Sequence, residues 1–267
     1  MKVLLVNGGP HKEGCTYTAL REVAKELNKE NVVLIVRNIV ILRTSRIKKK
    51  LFVKEKKRMK VLLVNGGPHK DGCVNTALSE VAKALNAEGI ETEVFWIGVK
   101  PISGCIACGS CFKNGKCVFN DVVNEFAVKC KEADGFVFGS PVHYASATGA
   151  ITSFMDRLFY STFSNPDLFR LKPAATIVSA RRAGTTATFD QLNKYFAMNQ
   201  MPIITSRYWN MVHGATPDDV RKDEEGMQIM RILGKNMAYY LKCQEAGKKA
   251  GINPPEQEQI TFTNFIR

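Results

Sequence analysis

MKVLLVNGGPHKDGCVNT, residues 59–76, passes from an apolar run at 61–64 straight into a loop broken by Gly and Pro, and then into a helix. A strand, a tight loop and a helix start in that order make an anion-binding corner. The first N–H groups of a helix have no partners within it, and the helix dipole adds partial positive charge beside them. Gly66, Gly67, Pro68, His69 and Gly72 lie in this loop and Asn75 and Thr76 open the helix, so phosphate is the natural occupant. Any strand-to-helix turn can hold two glycines, so the corner takes its meaning from what accompanies it downstream.

The chain has 267 residues, 45% of them apolar and 24% charged, an ordinary globular composition with enough apolar material for a sizeable core. Its longest apolar stretches, residues 32–36 and 39–42, fall far short of a membrane span. The opening MKVLLVNGG has too short an apolar run for a secretory signal. A cytoplasmic protein with no membrane partner is therefore expected. The formal charge of +13 is unevenly spread: residues 1–58 carry 15 Lys and Arg against 5 Glu, and the remainder 23 against 20 acidic residues. The basic excess belongs to a leader and not to a folded face, so no nucleic-acid partner is expected.

That leader is a copy. Residues 1–28 repeat at 59–86 with five differences, Glu13/Asp71, Thr16/Val74, Tyr17/Asn75, Arg21/Ser79 and Glu26/Ala84. A divergent basic run follows, ending near residue 58. The expected organisation is a duplicated N-terminal βα fragment with a basic linker at 1–58 and one domain at 59–267. A single βα copy cannot cover both faces of its strand, so duplication of the start of the coding sequence is favoured over an added working element.

From residue 59 onward short apolar strands, expected at 61–65, 93–97, 135–140, 174–179 and 203–206, alternate with amphipathic helices at 76–86, 122–132, 148–159, 186–198 and 218–242. Alternation of this kind means a parallel sheet covered on both faces. The fold class is α/β: a flavodoxin-like, doubly wound, five-stranded parallel sheet in three layers. Ligands in this architecture sit beyond the carboxyl ends of the strands, where strand order reverses.

The loops after the first, third and fourth strands are thus the ones to inspect. The first is the corner already described. The second, GSPVHYASATG from Gly139, offers Pro141, Val142, the flat face of Tyr144, and Ser146 ahead of another helix. The third, SARRAGTT from Ser179, offers Ala180, a cationic Arg181, Gly184 for close backbone approach and Thr185. Phosphate at one loop and an aromatic, backbone-lined slot at the others suit a planar ring on a phosphorylated tail, which describes FMN.

On these residues, the G-G-P-H-x-x-G…N-T loop, the G-S-P-V-x-Y-x-S loop followed by the helix with Phe154, Asp156 and Arg157, and the S-A-R-R-x-G-T-T loop, residues 59–267 resemble the flavodoxin-like family of NAD(P)H-dependent FMN reductases, quinone reductases and iron–sulfur flavoproteins. The resemblance implies that the three loops hold the FMN phosphate, one flavin edge and the redox-active side of the flavin. It also implies an NAD(P)H substrate and a homo-oligomer. Many relatives have Ser and Arg where this chain has Gly67 and His69.

The second chemical feature is PISGCIACGSCFKNGKC, with Cys105, Cys108, Cys111 and Cys117 in a C-x2-C-x2-C-x5-C pattern. Four of the eight cysteines packed this closely in a cytosolic chain call for metal or redox chemistry, not a disulfide framework. The spacing is compact, like a ferredoxin-type run, and resembles the four-cysteine motif that holds a [4Fe–4S] cluster in iron–sulfur flavoproteins. Structural zinc and a dithiol or inert remnant are the competing assignments.

The activity expected is FMN-dependent transfer of electrons from NAD(P)H to a quinone, flavin or similar acceptor, with a [4Fe–4S] cluster as a possible relay. Its alternative is a non-enzymatic iron–sulfur flavoprotein that carries electrons between redox proteins. Tyr208 and Trp209 are expected to pack and not to form a lid. Residues 260–267 are a candidate docking segment.

Overall fold

The computed structural model describes residues 58–263. The duplicated fragment, with His11 and Cys15, and the last residues of the tail lie outside the described residues.

The described residues form six strands and seven α-helices: β1 (Lys60–Asn65), α1 (Cys73–Ala87), β2 (Glu91–Trp96), α2 (Ser110–Asn114), α3 (Val122–Lys129), β3 (Gly135–His143), β4 (Ser146–Ala147), α4 (Gly149–Ser161), β5 (Ala174–Ala180), α5 (Thr185–Met198), β6 (Met211–His213), α6 (Pro217–Lys222) and α7 (Glu224–Lys249). The sheet runs β2-β1-β3-β5-β6, and the two-residue β4 folds back on the end of β3. All neighbours in the main order are parallel, and only the β3–β4 pair is antiparallel. Strand order reverses between β1 and β3, which puts the loops after β1 and β3 on either side of the switch.

Covering both faces explains why the strands read as nearly continuous apolar runs. Val61 and Leu63 point to one side, with Val137, Ile177 and Val212, against α1 and α7. Leu62 and Val64 point to the other, with Phe136 and Phe138, against α3, α4 and α5. On that second side Phe126 lies 4.9 Å from Phe95 and 5.5 Å from Phe154, ring centre to ring centre. Such aromatic contacts add to the burial energy of the rings. Among the described residues no helix is long and apolar enough to cross a membrane.

Two expectations need correction. The fifth parallel strand is Met211–His213, not residues 203–206. Ile203 makes only an isolated bridge to Ala174. The chain leaves the edge there because the Ser206 hydroxyl donates to Tyr208 O at 2.7 Å, a local turn that competes with the ladder. It returns where Val178 N–H donates to Asn210 O at 2.9 Å. The helix expected at 218–242 is two helices divided at Asp223. That carboxylate accepts from Gly226 N–H at 2.9 Å, capping α7, and from His213 N–H at 2.6 Å, tying the new helix to the end of β6.

Candidate functional site: a cleft at the sheet's carboxyl end beside a four-cysteine loop

The corner after β1 is held by its own backbone and one buried side chain. Gly66 N–H donates to Gly139 O at 2.9 Å, pinning the loop to β3. Gly67 N–H donates to Asn65 Oδ1 at 2.9 Å, while Asn65 Nδ2 donates to Lys70 O at 3.0 Å, so one amide spans the loop. Trp96, at the end of β2, donates from Nε1 to Gly67 O at 2.8 Å. The loop ends at Gly72, the N-cap of α1, where no side chain caps the helix and the first turn holds no acidic residue. The positive end of this fifteen-residue helix is therefore met by no side chain or acidic residue of its own first turn.

Three loops meet over that end. A cleft of about 340 Å³ is bordered by Gly67, Pro68, His69 and Gly72 from the first, Pro141 and Val142 from the second, and Ala180 and Arg181 from the third. The other sequence-selected residues stand off it. Thr76 spends its hydroxyl on Gly72 O at 3.2 Å, and Asn75 sits beside it in the first turn of α1. Ser146 donates from Oγ to Gln191 Oε1 at 2.7 Å. Tyr144 is fully exposed on a turn where it and Ala145 have φ of 49° and 59°. Gly184 has φ 90°, and a Cβ there would lie 2.6 Å from Ala145 Cα, so it serves the packing of α5 against this turn. Thr185 is buried as the first residue of α5.

Cys73, which opens α1, also borders the cleft. Burial pushes its thiol up, which disfavours a thiolate at the helix start.

The sequence reading passed over two segments. The loop after β2, Gly98 to Ile102, lines a second cleft of about 470 Å³ with Gly66 to Pro68 and the start of α4. Gly214 and Ala215, after β6, close the first cleft. Gly98 and Pro101 are turn-forming residue types, and only tertiary placement makes them walls of a cleft. Tyr208 and Trp209 are about half exposed and stack edge-on at 4.5 Å, away from both clefts.

Cys105, Cys108, Cys111 and Cys117 border one pocket together with Phe119 and Arg157. All four are free thiols, Cys105 and Cys108 exposed and Cys111 buried. Among the described residues no three His, Cys, Asp or Glu side chains are grouped so as to hold a single metal ion. Arg157, on α4, is 1% exposed and reaches across the loop. It forms a two-pronged pair with Asp121 at 2.7 and 2.8 Å and donates from Nε to Cys117 Sγ at 3.2 Å. Asp121 in turn caps α3 through Val123 N–H. The remaining described cysteines are structural or peripheral: Cys130 is fully buried, with its thiol pushed up by that burial, and Cys243 is exposed.

The family model for NADPH-dependent FMN reductase matches residues 59–216, a span that contains all three loops and the cysteine run. The chain belongs to this flavin reductase family. Within it, an iron–sulfur flavoprotein of Methanocaldococcus jannaschii is 31% identical over 189 residues, covering 69% of this chain and 98% of that one. An iron–sulfur flavoprotein of Archaeoglobus fulgidus is 27% identical over 190 residues, covering 68% and 97%. Among solved structures, the flavoenzyme NAD(P)H:(acceptor) oxidoreductase of Paracoccus denitrificans superposes with a TM-score of 0.52 at 13% identity, covering 69% of this chain and 98% of that chain. RosB, solved with a bound riboflavin-phosphate derivative, gives 0.54 at 13%, covering 78% and 92%. These two likenesses are of fold. The family match begins at residue 59, so the copied leader stands outside the part that makes the chain a flavin reductase family member.

Proposed function

We propose that the chain is an FMN-dependent NAD(P)H oxidoreductase that passes electrons to a quinone, flavin or similar acceptor, with a [4Fe–4S] cluster on Cys105, Cys108, Cys111 and Cys117 as relay. The observation that carries this reading is the uncapped, acid-free start of α1 facing a cleft built from the loops after β1, β3 and β5.

The residues present fit FMN. The start of α1, with His69 and Asn75, binds the phosphate, and Thr76 fixes the first turn that presents it. Pro141, Val142, Ala180 and Arg181 give a slot of mostly small apolar residues and one cation, suited to the edge of a flat ring. Tyr144 lies outside the cleft on the exposed turn after β3, and Ser146 and Gly184 tie that turn to α5. Bound FMN would supply the hydride and electron chemistry, and the protein supplies orientation, exclusion of water and charge. Arg181 places positive charge beside the ring site, where it favours an electron-rich occupant.

An all-thiol set of four is the donor set an iron–sulfur cluster takes. A cluster's inorganic core stands between its cysteines, so they sit farther apart than the ligands of one zinc ion. The iron–sulfur flavoprotein relatives support the same assignment.

Riboflavin, which lacks the phosphate, tests the corner. Two charge-assisted hydrogen bonds at about 1.5–3 kcal/mol each set the scale, so riboflavin is expected to bind at least roughly 100-fold more weakly than FMN in a fluorescence titration of flavin-stripped protein. Equal affinities would remove the phosphate from the α1 corner.

A further inference from the structure

Arg157 is the largest fully buried side chain described and carries a full positive charge. A lone buried guanidinium is costly unless its donors are met. Here they are met on both flanks of the cysteine loop. Nη1 donates to Ser103 O at 3.3 Å, before the first cysteine, and to Asp121 Oδ2 at 2.7 Å, after the last. Nη2 donates to Asp121 Oδ1 at 2.8 Å and Phe119 O at 3.4 Å, and the guanidinium lies 4.8 Å from the Phe119 ring centre. The fifth donor, Nε–H, points at Cys117 Sγ at 3.2 Å. One α4 side chain thus ties residues 103 and 117–121 together and faces only one of the four sulfurs.

Resting on the cluster assignment above, we propose that Arg157 is a positioning residue for the four-cysteine loop and that its Nε–H donation to Cys117 Sγ raises the reduction potential of a cluster held there. A cluster gains one negative charge on reduction, and hydrogen bonds to its sulfurs and nearby positive charge stabilise that state. Asp121 has the opposite sign and holds the same guanidinium, so it offsets the field that Arg157 exerts on Cys117. The pair sets the potential between them: Arg157 raises it and Asp121 restrains it.

The two partners predict shifts of opposite sign, which a scaffolding role alone would not produce. The full chain and its Arg157→Gln, Arg157→Lys and Asp121→Asn variants are reconstituted anaerobically with iron and sulfide, assayed for iron, and titrated with dithionite under potentiometric control. Arg157→Gln leaves Asp121 uncompensated, so the midpoint falls. Asp121→Asn leaves Arg157 uncompensated, so the midpoint rises. Arg157→Lys keeps the charge without the fork and gives a smaller fall. If Arg157→Gln does not hold iron, the rise in Asp121→Asn and the fall in Arg157→Lys carry the test. Midpoints unchanged in the variants, or moved the same way by Arg157→Gln and Asp121→Asn, would overturn the inference while leaving the cluster in place. A wild-type chain that takes up no iron would instead overturn the cluster assignment itself, and this inference with it.

Discussion

The full chain carrying Ala84→Glu is expected to lose most of its stability in thermal or urea unfolding. Ala84 is 7% exposed on the face of α1 that meets α7. The two helices approach there so closely that a Cβ on Gly234 would stand 2.7 Å from Ala84 Cβ and 2.8 Å from Val81 O. A glutamate has to push α7 away or bury an unpaired carboxylate. Losses above about 4 kcal/mol come from mechanisms of this kind, and a domain's whole stability is about 5–15 kcal/mol. The substitution is also the one the duplication contains, since Glu26 corresponds to Ala84 and Thr16 to the buried Val74. If Ala84→Glu unfolds the protein, the first copy is unfit for the place of α1, and a chain lacking residues 1–58 keeps its flavin content. Wild-type stability in Ala84→Glu would show that α1 tolerates the first copy's residue.

The second large effect is expected at Gly66. A Cβ there would lie 2.7 Å from Gly139 O and 2.9 Å from Ile151 Cδ1. The carbonyl belongs to the central strand β3 and cannot yield, so Gly66→Ala moves the loop and breaks the Gly66–Gly139 hydrogen bond. Overpacking of this kind costs about 1–3 kcal/mol. Because Gly67 and Pro68 border the cleft, the same displacement should weaken FMN binding by roughly tenfold for each 1.4 kcal/mol not recovered in the complex. Titration of stripped protein with FMN, beside an unfolding curve, checks both effects. Unchanged affinity with lowered stability would show that the flavin does not use this loop.

Which parts of the molecule were legible in the sequence follows from the range of the forces that fix them. The strand–loop–helix corner was legible because its chemistry is local: apolar residues 61–64, glycines at the turn and an uncapped helix start lie within eighteen residues. The parallel sheet was legible because strands covered on both faces must be apolar throughout. β6 was not, because three residues carry no periodicity, and the neighbouring residues 203–206 are as apolar. A turn hydrogen bond at Ser206 decided between them. The break at Asp223 rests on a carboxylate capping Gly226, and its second bond, to His213, joins elements that only the fold brings together.

At the site, the first-loop residues Gly67 to Gly72 could be named from sequence because they follow a strand directly. Tyr144 and Ser146 were named from their place in the loop after β3 and from the family motif; Tyr144 is exposed and the Ser146 hydroxyl donates to Gln191, a contact that only the fold creates. The cysteines announced themselves by spacing. Arg157 was marked only as part of the helix after the second loop, and its tie to Cys117, forty residues earlier, exists only in the fold that buries it.

The account rests on flavin at the α1 corner and a cluster in the cysteine loop. Both are tested most directly by the absorption spectrum of protein purified without oxygen, with iron and zinc assayed on the same sample before and after NADPH. Flavin bands over a broad shoulder, about four iron per chain and bleaching by NADPH are the predicted result. A colourless protein that carries zinc or no metal and takes up no FMN on reconstitution would contradict it.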